Sequence, residues 1–229
     1  MKQKLLSFIT LLTFAIGQLY AYDFSAANSD GVEIYYNIIE NGVEVTSGQN
    51  TYRDNVVIPG TVNFGNAEYA VTVIGDMAFA NCSGLTSVSI PNSVTAIGDR
   101  AFYNCSNLAA FYGKYSSDDN RCLIIDGNLI AFARAGVTDY TIPNSASAIG
   151  DYAFVNCSGL TSVSIPNSVT AIGDYAFAFC SGLTSVSIPN SVTAIGSNAF
   201  NGCSGLAAFY GKYSSDDNRC LIIDGNLIA

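Results

Sequence analysis

Cysteine is the first residue type in this chain that could carry out chemistry. The 229 residues include seven cysteines and no histidine. Five cysteines each follow a phenylalanine by three residues: Cys82, Cys105, Cys157, Cys180 and Cys203. A reactive thiol needs an electropositive, partly exposed setting, whereas these five occupy equivalent places in apolar stretches. We therefore predict a ladder of free, buried thiols that act as small apolar side chains; disulfide-bonded or catalytic thiols are the alternative.

Carboxylates form the second set of candidate catalytic groups. They follow successive Ile-Gly pairs at Asp76, Asp99, Asp151 and Asp174, and Ser197 takes the fifth place. Exchange of Asp for Ser is typical of a helix N-cap, because both side chains accept a hydrogen bond from a free backbone N–H. The absence of histidine also removes the commonest general base and metal ligand. We expect these residues to be caps, and we predict no catalytic residue.

A third candidate is the acidic tract Asp118-Asp119-Asn120, which recurs as Asp216-Asp217-Asn218. Its oxygens could bind Ca²⁺, but the tract lacks the alternating spacing and closing Glu of a known calcium loop. A solvated turn is the favoured interpretation. The sequence therefore predicts no metal site and no cofactor.

All of these residues belong to a literal repeat. The stretch "SGLTSVSIPNSVTAIGD" lies at 83–99 and 158–174, and again at 181–197 with Ser as its last residue. The aligned phenylalanines are Phe79, Phe102, Phe154, Phe177 and Phe200, which are 23, 52, 23 and 23 residues apart. A period in the twenties indicates a solenoid, whose units bury their apolar faces only by stacking.

Each unit predicts one coil. Residues 183–188 alternate apolar and hydroxyl side chains, as in a short strand with one buried face. Residues 175–180 predict a short helix, and Gly182 with its counterparts predicts a left-handed residue that ends it. The fold class we expect is an α/β leucine-rich-repeat solenoid of short parallel strands and short helices, with a β-rich N-terminal cap.

The chain divides into three predicted regions. Residues 1–21 carry Lys2 and Lys4 before an apolar run, which is typical of a secretory signal peptide. Residues 22–57 would form the β-rich cap. Residues 58–229 would form the solenoid, with hairpin insertions at about 109–137 and 207–229, because "LAAFYGKYSSDDNRCLIIDGNLIA" occurs at 108–131 and 206–229.

Charge narrows the range of partners. The net charge is −9, and removal of the leader would make it more negative. Nucleic acid and anionic membranes are therefore poor partners, and we expect no membrane insertion after signal removal.

The repeated pattern L-x-x-V-x-I-P-x-x-V-x-x-I-G-x-x-A-F-x-x-C-x-x-L resembles the bacterial surface leucine-rich repeats of the BspA-like family. The resemblance covers about 58–229, and the segment from Tyr22 also looks like the N-terminal cap of such proteins. It implies parallel strands that line one face, and exported proteins linked with adhesion to host proteins or other cells. It brings no catalytic residues.

The outward face of the strands remains as the candidate binding site. Its hydroxyl residues and the tyrosines of the two insertions are Tyr112, Tyr115, Tyr210, Tyr213, Thr161, Ser162, Ser164, Thr184, Ser185 and Ser187. We predict a secreted or cell-surface adhesion module, not an enzyme, that recognises an extracellular or cell-surface protein of a host or another cell. The alternative is a structural repeat scaffold or spacer with no specific ligand.

The second insertion stops at Ala229, the counterpart of Ala131 within the first. An uncapped last coil would show apolar side chains and strand edges to water. We therefore expect either a fragment of a longer surface protein or self-association through the C-terminal end.

Overall fold

The computed structural model describes residues 22–223, 226 and 227, so the predicted signal peptide lies outside the described residues. Twenty strands make up the described secondary structure. The N-terminal strands are β1 (Phe24–Ala27), β2 (Glu33–Ile39), β3 (Gly42–Thr46), β4 (Asp54–Val57), β5 (Thr61–Phe64) and β6 (Ala67–Ile74). The next six are β7 (Leu85–Ile90), β8 (Ala96–Ile97), β9 (Ala110–Gly113), β10 (Cys122–Ile125), β11 (Asn128–Phe132) and β12 (Asp139–Thr141). The last eight are β13 (Ala148–Ile149), β14 (Ser162–Ser164), β15 (Ala171–Ile172), β16 (Ser185–Ile188), β17 (Ala194–Ile195), β18 (Ala208–Gly211), β19 (Ile222–Ile223) and β20 (Asn226–Leu227).

The N-terminal strands form a sheet in the order β1-β2-β3-β6-β5. Phe24 stacks on Tyr36 and on Phe64 across this sheet, with ring centroids 5.2 and 4.3 Å apart. A β-rich N-terminal region is therefore present, and its sheet extends beyond the predicted boundary at 57. Strand β4 already pairs with β7 of the solenoid, whereas β5 and β6 continue the N-terminal sheet as far as Ile74. The two regions interleave because β6 belongs to both.

The solenoid is a β-rich repeat of about six turns. Five of these turns are numbered as coils, and the two insertions are left unnumbered. The coils are the first (54–82), the second (85–105), the third (139–157), the fourth (162–180) and the fifth (185–203). Each coil contributes to three rows. The strand face holds β4, β7, β9, β12, β14, β16 and β18, and the inner row holds β6, β8, β11, β13, β15 and β17. The turn row holds the segment that follows each Ile-Gly pair.

The predicted short helices are absent from the described residues. In the turn row the backbone N–H groups point to the next coil, as when Tyr175 and Phe177 donate to carbonyls of Ser197 and Ala199 at 3.0 and 2.8 Å. Tyr175 and Phe179 both have positive φ, which interrupts any helix between them. Alternate N–H groups therefore bond to the next coil, while those of Ala178 and Cys180 donate to carbonyls three residues earlier in turns. No helix is left for Gly182 to end. The left-handed position lies three residues earlier, at Phe179.

The aspartates are consequently not helix caps. Oδ1 of Asp76, Asp151 and Asp174 accepts the backbone N–H of the residue one coil later, at 2.8, 2.7 and 2.6 Å. Each carboxylate thus ties one coil to the next. Ser197, whose exchange for Asp suggested a cap, is the last residue of this series, and its backbone N–H is the donor to Asp174.

The core consists of two separate clusters. Tyr52, Phe79 and Phe102 pack in series and end against the edge of Phe111. A second series begins at the first insertion: Phe132, Phe154, Phe177, Phe200 and the edge of Phe209. The insertion itself is the predicted hairpin, since β10 pairs antiparallel with β11. Asp126 and Gly127 both have positive φ in its two-residue turn.

Among the described residues, none forms a helix long and apolar enough to cross a membrane.

Candidate binding face

The strand face carries the predicted hydroxyl residues in register. Strand β12 pairs with β14 and strand β16 pairs with β18, which aligns Thr141 with Ser164 and Ser187 with Tyr210. Thr161, Ser162, Ser164, Thr184 and Ser187 are exposed, and Ser185 is half-buried. The apolar residues between them, such as Val163 and Val186, are buried. Strand alternation therefore places the hydroxyls outward, as the sequence predicts.

Two of these hydroxyls have a structural partner. Oγ1 of Thr161 donates to the Thr138 carbonyl at 3.0 Å, and Oγ1 of Thr184 donates to the Thr161 carbonyl at 3.3 Å. Both bonds join neighbouring coils. The threonines thus contribute to stacking, while the exposed serines are better placed to meet a partner.

The four tyrosines fall into two kinds. Tyr112 and Tyr210 are 45% and 48% exposed, at the ends of the two groups of face strands. Tyr115 and Tyr213 are half-buried, and their hydroxyls donate to the carbonyls of Val94 and Val192 at 3.0 and 2.8 Å. Only the first pair presents a free ring to solvent. The second pair fastens each insertion to the coil before it.

The acidic tract forms a closed turn. Oδ1 of Asp119 accepts the Arg121 backbone N–H at 3.1 Å and also accepts the Ser117 hydroxyl. Burial alone raises the pKa of Asp119, but these hydrogen bonds outweigh it and the pKa lies below its ordinary value. Within the described residues there is no cluster of three or more metal-ligating side chains. The solvated-turn interpretation fits this geometry.

All seven cysteines are free. The thiols of Cys105, Cys180 and Cys203 donate to the carbonyl of the phenylalanine 26 residues earlier, at 3.0, 3.1 and 3.0 Å. Burial raises the pKa of Cys105 and of Cys122 to about 12. Such thiols stay protonated at neutral pH and are poor nucleophiles. Their position therefore supports packing and hydrogen bonding between coils.

The sequence interpretation missed a cluster on the turn row. Cζ of Arg100 lies 4.1 Å from the ring centroid of Tyr152, and its Nη2 donates to the Tyr152 hydroxyl at 2.6 Å. The Tyr152 ring stacks on Tyr175 at 5.2 Å and 3°. Arg100, Tyr152 and Tyr175 hold the same place in successive copies of the repeat, and that alignment was the available signal.

The matching family profile is the BspA type Leucine rich repeat region, with six copies over residues 60–118 and 128–215. The chain belongs to the BspA-type leucine-rich repeat family. Among curated proteins, none matches this BspA-type chain.

Two solved structures show the same fold as this BspA-type protein. A leucine rich cell surface protein from Faecalibacterium prausnitzii A2-165 is 28% identical, with a TM-score of 0.51. The match covers 90% of this chain and 58% of that one. A leucine-rich repeat protein from Eubacterium ventriosum is also 28% identical, with a TM-score of 0.55, over 69% of this chain and 41% of that one. The chain thus spans little more than half the length of the first relative and less than half the length of the second.

Proposed function

We propose that this BspA-type chain is an exported, surface-associated binding module that recognises a macromolecule of a host or another cell. The strand face is the contact surface, with Tyr112 and Tyr210 as its aromatic anchors. Tyrosine supplies a large contact area at low entropic cost, and it is enriched among residues that dominate binding energy. The observation that supports this most directly is the exposure of these two rings at equivalent ends of the face.

Three further observations favour binding over catalysis. The buried thiols have raised pKa values, the aspartates bind backbone N–H groups, and histidine is absent. The Faecalibacterium neighbour is described as a cell surface protein, which supports a similar location here. The predicted leader supports export.

The test is binding to a panel of extracellular-matrix proteins and to cells, measured by biolayer interferometry and by cell adhesion. Changing Tyr112 and Tyr210 together to Ser should reduce binding at least about tenfold, as expected for exposed anchors. Phe179→Ser is the matched control, since Phe179 is 48% exposed but lies on the turn row.

Equal loss in the control and the double variant would contradict the assignment of the site. Failure of the unchanged protein to bind any panel member would favour the alternative, a repeat scaffold or spacer. Self-association through the C-terminal end, part of which lies outside the described residues, stays a prediction for light scattering.

A further inference from the structure

The backbone ladder of the turn row is interrupted between the second and third coils. At the other junctions between numbered coils, three N–H groups of one coil donate to three carbonyls of the next, at distances between 2.7 and 3.0 Å. The donors are Met77, Phe79 and Asn81, then Tyr152, Phe154 and Asn156, then Tyr175, Phe177 and Phe179. The equivalent N–H groups of Arg100, Phe102 and Asn104 donate to no acceptor in the described part of the chain.

The interruption follows from the first insertion. Strand β11 of the insertion pairs with β13 of the third coil, so the insertion takes the place of a coil in the inner row. Strand β8 of the second coil pairs with β6 and has no paired strand on its other side in the described residues. The insertion brings no equivalent of the turn segment. A cavity of about 40 Å³ remains at that place, lined by Arg100, Phe102, Asn104, Ile130, Arg134 and Tyr152 among others. This volume exceeds what a single water needs.

Two arginines converge on this cavity in a chain that has nine Lys and Arg residues in all. Nη1 of Arg134 donates to the Val155 carbonyl at 3.2 Å and also to the Asn156 carbonyl, and its Nη2 donates to Oδ1 of Asn104 at 3.3 Å. In an uninterrupted ladder the Val155 carbonyl would accept from Asn104 N–H. Arg134 therefore replaces a missing backbone donor and brings a positive charge to the gap.

Two carboxylates lie near the gap, Asp151 in the cavity lining and Asp99 beside Arg100, and each already has a partner. Oδ1 of Asp151 accepts the backbone N–H of Asp174, which belongs to the following coil. Asp99 is exposed and lies 3.4 Å from Nε of Arg100. By the symmetry of the repeat, the carbonyls of Asp151 and Ala153 form the wall that faces the N–H groups of the second coil. Because carbonyl oxygens repel an anion, an anionic occupant has to be small and lie against the second coil.

We propose that this gap is a binding site for a small carboxylate, held by the N–H groups of Arg100, Phe102 and Asn104 and by the guanidinium of Arg134. Arg100 and Asn104 both have positive φ, and unpaired backbone N–H groups of turn segments attract anions. Guanidinium groups add charge-assisted hydrogen bonds to carboxylate oxygens.

The test is a titration of the full, isotope-labelled chain with sodium formate, followed by amide NMR at constant ionic strength. We expect saturable shifts of the Arg100, Phe102 and Asn104 amides. The amides of Tyr175, Phe177 and Phe179 are matched controls, because they hold the same places in the repeat, donate to the fifth coil and do not line the cavity. A peptide with blocked termini and a single Glu distinguishes a side-chain carboxylate from a free one: the same shifts with the peptide would show that a partner's side chain can enter.

Arg134→Gln should weaken formate binding about tenfold, because it removes the charge-assisted bonds. If that variant does not fold, the unchanged protein still decides the matter. Linear shifts that the control amides share, or no shift of the three amides, would overturn the proposal and leave a cavity that holds water.

Discussion

At the scale of single residues, Phe179 is the clearest departure from the repeat. It has φ of 61°, where the other copies carry Asn81, Asn104, Asn156 or Gly202. Asn tolerates this conformation better than a bulky residue does. Phe179→Asn should therefore preserve or raise the free energy of unfolding, by up to about 1 kcal/mol. Guanidinium denaturation measures this, and a loss above that size would contradict the argument.

The neighbouring copy supplies a coupled prediction. A Cβ atom at Gly202 would lie 2.5 Å from Cδ1 of Phe179, so the ring covers the glycine. Gly202→Asn should cost about 1–3 kcal/mol in the unchanged protein through overpacking. In the Phe179→Asn background the cost should nearly vanish, since Asn81 and Asn104 already pair through their side-chain amides at 3.0 Å. Equal costs in both backgrounds would show that the ring does not restrict Gly202.

Thiol reactivity is also decided residue by residue. Cys82, Cys105, Cys122, Cys157 and Cys180 are buried, whereas Cys203 and Cys220 are partly exposed. With folded protein at neutral pH, iodoacetamide should modify Cys220 first and leave the buried five unmodified, because burial keeps thiols such as Cys105 protonated. After denaturation without reductant all seven should react, as mass spectrometry can show. Early modification of Cys122 would contradict its burial.

At the scale of elements, the aspartates test how coils are joined. Asp174→Ala removes the acceptor for the Ser197 N–H and should cost about 1 kcal/mol in denaturant unfolding. Asp99→Ala is the matched control, because within the described residues its carboxylate contacts only Arg100, at an exposed position beside the gap. Such a pair contributes a few tenths of a kcal/mol. Similar costs for both would mean that the carboxylates act through general charge and not through the bond between coils.

At the scale of the whole molecule, the two core clusters predict two units that lose stability largely independently of one another. Phe177 is fully buried between Phe154 and Phe200, at 4.9 and 5.4 Å. Phe177→Ala should cost about 3–5 kcal/mol. Because repeats contact mainly their neighbours, hydrogen exchange should quicken across the third to fifth coils while the N-terminal sheet keeps its protection. Uniform loss of protection would indicate one cooperative unit.

The sequence by itself determined what depends on a short stretch of chain. The period of the repeat predicts the solenoid, the alternation in residues such as Val186 and Ser187 predicts the strand face, and Asp126-Gly127 predicts the hairpin turn. The family resemblance follows from the same repeated residues. These features need only local conformation and the separation of apolar from polar side chains.

Only the tertiary structure decided what depends on contacts between coils. Residues 175–180 look like a short helix, yet every second N–H group from Tyr175 to Phe179 donates to a carbonyl of the next coil, a choice that no local propensity reveals. Tyr112 and Tyr115 look alike in sequence, and only packing buries one hydroxyl against Val94. The gap beside Arg100 exists because an insertion fills two rows and leaves the third empty, a consequence of how whole coils stack.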